Sequence, residues 1–354
     1  MDITTLRDFD DHELVLLARD ADAGLTAVIA VHSTVAGPAC GGTRMWAYAT
    51  HEDAVIDALR LSRGMTYKNI MAGLPLGGGK SVIIGNARTD KSDALLRAFG
   101  RKVEALGGRY IAAEDVGTSP ADMAIVGQET RHVAGLTGGA GDPSPFTAFG
   151  VYHGIKATAQ ELTGNNSLKG LKIAVQGLGH VGQYLCQHLA AEGAQLIVAD
   201  LDADKVAEQI RLHGATAVDA GMIHAADCDI YAPCALGATI NARSIGDIRA
   251  KAIAGAANNQ LSVPEMAAEL AQRGILYAPD YVINAGGIIS VSAEVTGTFD
   301  QDAIMARSAA IGETVSSIFA RAKATGATTA DVADTLAREK LAALKTAGQA
   351  AKAA

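Results

Sequence analysis

The sequence predicts an α/β protein of two domains, on three observations. At 354 residues the chain exceeds what one hydrophobic core ordinarily serves. Hydrophobic residues make up 49% of it but aromatics only 4%, so its layers are built from Ala, Val, Ile, Leu and Gly. The segment 171–200 reads as strand, Gly-rich turn, helix and strand, the unit of a Rossmann-type sheet.

Taken in chain order, 14–19 and 25–32 are two strands joined by an Asp-Ala-Gly turn. Residues 51–64 form an amphipathic helix, with Ala54, Val55, Ala58, Leu59, Leu61 and Ser62 near one face. A Gly-rich turn, Gly77-Gly78-Gly79, leads to a short strand at 81–84. Ser92 caps a helix over 92–106, which Gly107-Gly108 stops. The strand 109–113 ends in Glu114-Asp115, and strand ends carry functional side chains in open α/β sheets. The Gly/Pro-rich stretch 135–145 reads as a hinge, and 147–162 as a helix. Further αβ units run to about Ile283, and Asn284-Ala285-Gly286-Gly287 breaks the pattern as a second hinge. One long helix, 302–325, is expected to cross back to the first domain, followed by a terminal helix at 331–345 and a frayed tail at 350–354. The boundaries that follow are 1–140, joined by about 326–354, for one domain and 141–325 for the other.

Composition excludes several classes. The net charge is −8 and no basic block stands out, which argues against nucleic acid as a partner. Cys40, Cys186, Cys228 and Cys234 lack CxxC spacing and a nearby His pattern, so they read as reduced thiols of a cytoplasmic protein, with no metal site. The start is acidic without an apolar run, unlike a signal peptide, and no uncharged stretch approaches the ~20 residues of a membrane span.

Two motifs carry chemistry. In Gln176-Gly177-Leu178-Gly179-His180-Val181-Gly182 a strand runs into G-x-G-x-x-G, a helix follows, and Asp200 ends the next strand 23 residues after Gly177. Gly177 permits the tight turn, Gly179 lets the backbone approach a pyrophosphate, and Gly182 lets the helix pack closely. The helix N-terminus supplies N–H groups to the diphosphate. Asp200 accepts from ribose hydroxyls and repels a 2′-phosphate, and no arginine follows it, so NAD is favoured over NADP. His180 is either a solvated loop residue or a cofactor contact. The second motif is 64–80, which sets Lys68 and Lys80 twelve residues apart in an otherwise uncharged run. One lysine can be a fixed cation for a carboxylate and the other a base of lowered pKa. On this stretch alone, two solvated lysines flanking a loop remain the alternative.

Several stretches, in order along almost the whole chain, resemble the glutamate/leucine/phenylalanine/valine dehydrogenase family, most closely its leucine-acting bacterial members. They are Gly37-Pro38-Ala39-Cys40-Gly41-Gly42-Thr43-Arg44-Met45-Trp46, the two-lysine segment, Ala113-Glu114-Asp115-Val116-Gly117-Thr118, Gly141-Asp142-Pro143-Ser144-Pro145, and the runs 228–238, 252–261 and 277–287. The resemblance implies a substrate-binding and oligomerisation domain, a Rossmann-type NAD domain and an active-site cleft between them. It implies reversible oxidative deamination of an L-amino acid to a 2-oxo acid and ammonia, in a homo-oligomer of two to eight chains.

By the same resemblance Lys68 and Asn258 hold the substrate carboxylate, with the main chain of Gly41 and Gly42 at that end. Lys80 is the base, and Asp115 shuttles protons to and from the substrate nitrogen. Thr147 and Asn259 touch the nicotinamide amide, and Ala235 lines the cofactor site. Thr147 could instead satisfy its own helix backbone, and Asn258-Asn259 could be only a turn. The side-chain pocket maps to Cys40, Met65, Ala113, Ile288 and Val291. All five are apolar, which excludes a distal carboxylate and favours leucine, valine or isoleucine. Leucine-acting members usually carry Leu at Cys40 and Val at Ile288, one change enlarging the pocket and the other shrinking it. Phenylalanine or another aromatic amino acid is the second reading, and a non-catalytic nucleotide- or amino-acid-binding protein the third.

Overall fold

The computed structural model describes residues 2–135 and 141–353. The core of the hinge stretch, 136–140, lies outside the described residues. The chain divides into two compact units. The first takes in Met1–Gly141, Val291–Phe299 and Ala337–Ala354, and the second Asp142–Ser290 and Asp300–Leu336.

In the first unit the strands are β1 (Leu14–Asp20), β2 (Leu25–Ser33), β3 (Ala39–Trp46), β4 (Gly77–Ile84) and β5 (Tyr110–Glu114), with helices α1 (His51–Met71), α2 (Asp93–Glu104) and α3 (Pro120–Val126). The sheet order is β1-β2-β4-β3-β5, with β1 and β4 antiparallel to β2, and β3 parallel to both β4 and β5. One face buries Val28, Ala30 and Val82 against Ala54, Val55, Ala58 and Leu59 of α1. The other buries Ile29, Ile83 and Tyr110 against Leu95, Leu96 and Phe99 of α2.

Two expectations change here. The helix does not stop at Gly64 but runs to Met71, so Lys68 is in its last turn. One glycine costs a helix about 1 kcal/mol, and burial of Thr66, Tyr67, Asn69, Ile70 and Met71 outweighs that. The stop is Gly73, left-handed at φ 64°, with Leu74 N–H donating to Asn69 O and Gly73 N–H to Ile70 O. The final turn is also tied from the side, since Thr66 Oγ1 lies 2.8 Å from Nδ1 of the buried His32. The Gly77-Gly78-Gly79 turn is, in fact, the start of β4. These residues are glycines because neighbours press on the strand: a Cβ on Gly78 would strike Thr66 of α1, and one on Gly79 would stand 2.7 Å from the Tyr110 ring.

The second unit holds α4 (Ser144–Thr163), β6 (Lys172–Gln176), α5 (His180–Ala191), β7 (Gln195–Ala199), α6 (Ala203–His213), β8 (Thr216–Ala217), β9 (Ile230–Pro233), β10 (Ala252–Ile253), α7 (Met266–Gln272), β11 (Leu276–Tyr277) and α8 (Asp280–Ile283). It forms a parallel sheet of order β11-β10-β9-β6-β7-β8. The chain winds outward from β6 through β7 and β8, then from β9 the other way. The switch point therefore lies at the C-terminal ends of β6 and β9, where open α/β sheets bind ligands.

Asn284-Ala285 separates α8 from α9 (Gly286–Val295). The expected single helix over 302–325 is two, α10 (Gln301–Ala309) and α11 (Ile311–Thr325), meeting at Ala310. Gly312 lets α11 approach α4, since a Cβ there would stand 2.9 Å from His153 O. Both helices stay in the second unit, and it is α12 (Thr329–Ala353) that is divided between the two, helical to Ala353 rather than frayed. Among the described residues, no helix is long and apolar enough to cross a membrane.

Candidate active site

Strand register builds the first constellation. Gly78 faces α1, so by the two-residue period of a strand Lys80 faces it too, as does Val82. Lys80 and the helix carrying Lys68 therefore share one side of the sheet. In β3, Gly42 pairs with Ala113 of β5, and Asp115 lies two residues beyond. Lys80 reaches across β3 to place Nζ 2.8 Å from Asp115 Oδ2. The missing side chain of Gly42 makes this possible, since a Cβ there would stand 3.0 Å from Lys80 Nζ and 2.7 Å from Asp115 Cβ.

The pair is embedded in charge that the sequence motifs did not single out. Arg44 donates from Nε to Asp115 Oδ2 at 3.0 Å and from Nη1 to Asp57 Oδ2 at 2.8 Å. Asp57 also receives Tyr48 OH at 2.6 Å and Arg60 Nη2 at 2.8 Å. Thr118 Oγ1 accepts the Asp115 N–H at 3.0 Å and donates to Thr43 O at 2.7 Å, which fixes the end of β5. A Tyr48/Asp57 spacing of nine residues and an Arg44 two residues past Gly42 were the available signals, but neither is a motif.

Burial pushes the pKa of Lys80 down, Asp115 partly opposes this, and Arg44 adds to it. For Asp115, burial favours the neutral acid, but Lys80 and Arg44 outweigh it and hold the pKa below the usual carboxylate value. A lysine of lowered pKa thus sits against a carboxylate of lowered pKa, an arrangement that can serve acid–base chemistry.

The remaining substrate-site candidates are placed as follows. Lys68 is half-buried. The next residue, Asn69, donates from Nδ2 to Gly77 O at 2.6 Å, pinning the end of α1 to the start of β4. Gly41 O accepts from Tyr110 OH at 2.7 Å, and Met65 Cγ would lie 3.4 Å from a Cβ on Gly41. Cys40 is fully buried, and burial first, then Glu294, pushes its thiol up to about 12, so it is a packing residue without redox reactivity. Ala113 and Val291 are half-buried in the first unit, and Ile288 is half-buried on α9 in the second.

The second constellation lies on the C-terminal edge of the parallel sheet. Gly177 has φ 92°, and a Cβ on it would meet Ala235 Cβ at 2.7 Å, so Ala235 closes that side of the loop. Gly179 is the N-cap of α5 without a side-chain cap, leaving the first-turn N–H groups of His180, Val181 and Gly182 directed out of the helix. A Cβ on Gly182 would strike Gly177 O. This cradle, shaped by absent side chains, fits a dinucleotide diphosphate. Leu178 is buried and takes part through its main chain, its N–H donating to Asp200 Oδ2 at 2.5 Å. Asp202 N–H donates to Asp200 Oδ1 at 2.9 Å. Burial opposes ionisation of Asp200, but these N–H groups prevail and lower its pKa. His180 is exposed, its Nδ1 3.3 Å from Asp142 Oδ2. Replacing Gly182 by Val is expected to weaken dinucleotide binding at least about tenfold, the order of a 1–3 kcal/mol overpacking strain. Fluorescence titration of the reduced dinucleotide measures this, and an unchanged Kd would show that the cradle is not its site.

Thr147 donates from Oγ1 to Pro143 O at 3.2 Å, so its hydroxyl proton serves its own helix. A Cβ on Gly287 would stand 2.8 Å from that oxygen, so α9 begins hard against Thr147. Asn258 and Asn259 are exposed in the loop after β10, and Asn259 is left-handed at φ 50°.

The comparisons agree with this architecture. A profile described as Glu/Leu/Phe/Val dehydrogenase, dimerisation domain, matches residues 12–132. One described as Glutamate/Leucine/Phenylalanine/Valine dehydrogenase matches 138–206 and 201–348. The chain is 51% identical over 334 residues to a leucine dehydrogenase of Geobacillus stearothermophilus, covering 94% of this chain and 91% of that one. It is 50% identical over 336 residues to a valine dehydrogenase of Streptomyces virginiae, covering 93% and 94%. Among solved structures, an L-tryptophan dehydrogenase from Nostoc punctiforme superposes with a TM-score of 0.85 at 46% identity, covering 95% of this chain and 97% of that one. With a buried lysine paired to the half-buried Asp115 in one unit, a Gly-rich cradle fit for a dinucleotide in the other, and matches at half identity over nearly the full length, the chain belongs to the glutamate/leucine/phenylalanine/valine dehydrogenase family and is an amino-acid dehydrogenase.

Proposed function

We propose that the protein catalyses reversible, NAD-dependent oxidative deamination of a branched-chain aliphatic L-amino acid to its 2-oxo acid and ammonia. The observation that carries this reading is the buried Lys80 amine 2.8 Å from Asp115. Bound NAD supplies the hydride acceptor. Lys68 and the Asn258 amide hold the substrate carboxylate, with the Gly41-Gly42 main chain beside them. Lys80, in its neutral form, takes the proton of the substrate ammonium, passes it by way of Asp115 to solvent, and, neutral again, takes that of the water attacking the iminium carbon. Asp115 passes protons to and from the substrate nitrogen, and Arg44 keeps it charged between transfers. Thr147 and Asn259 would touch the nicotinamide amide, and Ala235 would line the cofactor site beside the Gly177 turn. NAD is favoured over NADP because Asp200, kept ionised by two main-chain N–H groups, repels a 2′-phosphate.

We assign recognition of the substrate side chain to Cys40, Met65, Ala113, Ile288 and Val291, none of which carries a charge or amide, which suits leucine, valine and isoleucine. The leucine and valine dehydrogenases at about half identity support this choice. An aromatic substrate is the second reading, favoured by the 46% identity to an L-tryptophan dehydrogenase. A steady-state panel of aliphatic and aromatic amino acids at fixed NAD decides between them. Leucine, valine or isoleucine should give the highest kcat/KM, and a higher value for phenylalanine or tryptophan would remove the branched-chain assignment.

The match of 12–132 to a dimerisation-domain profile supports a homo-oligomer. Four free cysteines, three of them buried, support a reducing compartment such as the cytoplasm.

A further inference from the structure

We propose that Asn284 is a positioning residue that sets which end of the Asn258 amide meets the substrate carboxylate. The inference rests on the carboxylate role given to Asn258 above and extends it to a residue outside that site.

Asn284 follows α8, in a stretch whose sequence reads as a hinge, yet its side chain is 5% exposed and tied down. Its Nδ2 donates to Asn258 Oδ1 at 2.8 Å, to Ala256 O at 3.1 Å and to Ala257 O at 3.5 Å. The polarity of this set is fixed by chemistry. Main-chain carbonyls only accept, so the end of Asn284 that faces Ala256 and Ala257 must be its NH2. That NH2 also faces Asn258, which must therefore offer its oxygen. Inverting the Asn284 amide would set one acceptor against three others. The orientation is kept although Asn284 Oδ1 is buried without a hydrogen-bond partner, a cost set against the three contacts of the NH2 end.

The consequence falls on Asn258. An amide has one accepting end and one donating end. With Oδ1 held by Asn284, the Asn258 NH2 is turned away from Asn284. A carboxylate accepts only, so it is recognised by that NH2 and repelled by the oxygen. Asn284 thus selects the productive rotamer before the substrate arrives. Its effect is separable from holding the loop, because the loop has its own ties. Gln260 donates from Nε2 to Gly255 O at 2.8 Å and to Ala257 O at 3.0 Å, and its N–H donates to Asp280 Oδ2 at 2.8 Å.

The test is steady-state kinetics of Asn284→Asp in the full-length enzyme, which replaces the donor by an acceptor at constant shape. The amino-acid KM should rise about tenfold or more, the order of one hydrogen bond to a charged group. The KM for NAD should stay put and kcat should change by less than about threefold. If Asn284→Asp fails to fold, Asn284→Ala removes the donor without adding charge and should raise the amino-acid KM in the same sense. Asn258→Ala is the reference. The Asn284 change should add no further rise in that background, since its target is gone. An unchanged amino-acid KM in the Asn284 variants, or an equal rise with and without Asn258, overturns the proposal while leaving the role of Asn258 intact. An Asn258→Ala enzyme with normal amino-acid KM overturns both. A rise in the KM for NAD alone would make Asn284 a support of the cofactor loop and also overturn the proposal.

Discussion

Replacing Lys80 by Ala is expected to cut kcat for deamination by about 10²–10⁴-fold, the usual span for removal of a general base. Dinucleotide affinity should be unchanged, because the Gly177–Gly182 cradle belongs to the other unit. The fold should survive, since Arg44 stays 3.0 Å from Asp115 and the half-buried carboxylate keeps a cation. Single-turnover measurement of NADH formation, with binding followed by fluorescence, checks both halves. An alanine enzyme of near wild-type kcat would remove Lys80 from catalysis.

The pH profile gives an independent reading of the same residue. Burial sets the Lys80 pKa below the ordinary 10.5, with Asp115 holding it up and Arg44 pressing it further down. The working form is the neutral amine, so kcat/KM for the amino acid should rise with pH and level off above that lowered pKa. Asp115→Asn removes the group that holds the pKa up, and so the rising limb of its residual activity should move toward lower pH. Movement toward higher pH would mean that some other group titrates there.

Lys68→Ala is the second large effect. Losing the cation opposite the substrate carboxylate removes a charge-assisted hydrogen bond of about 1.5–3 kcal/mol, so the amino-acid KM should rise roughly 10- to 100-fold while the KM for NAD holds. Lys68 lies in the last turn of α1, where a cation also complements the helix dipole, so a stability loss of about 0.3–1 kcal/mol should accompany it. Amino-acid KM values for both enzymes, with a thermal melt of each, measure the two effects. A normal amino-acid KM with only a lowered melting temperature would leave Lys68 a purely structural role.

The Rossmann unit was readable because its signals are contiguous. The strand, the three glycines, the helix and Asp200 follow one another in the chain and stay together in space. The first unit was harder. Gly64 and the triplet Gly77-Gly78-Gly79 look like breaks, because glycine usually marks a turn. In the fold the first is carried through a helix by burial of the turn after it, and the others are strand residues with Thr66 and Tyr110 pressed against them.

The sequence by itself predicted the two-unit α/β plan and the strand, Gly-rich turn and helix of the dinucleotide motif, which are properties of composition and of short motifs, and the resemblance to the family supplied the roles proposed for Lys68, Lys80 and Asp115. Tertiary structure alone decided that Lys80 meets Asp115 through the gap left by Gly42, that Arg44 bonds Asp115, 71 residues away in the chain, as well as Asp57, and that the apparent hinge residue Asn284 is a buried donor to Asn258, 26 residues away. The physical reason is that pKa values and amide orientations depend on which groups share a desolvated space. Strand register and helix packing assign that space, and local sequence does not.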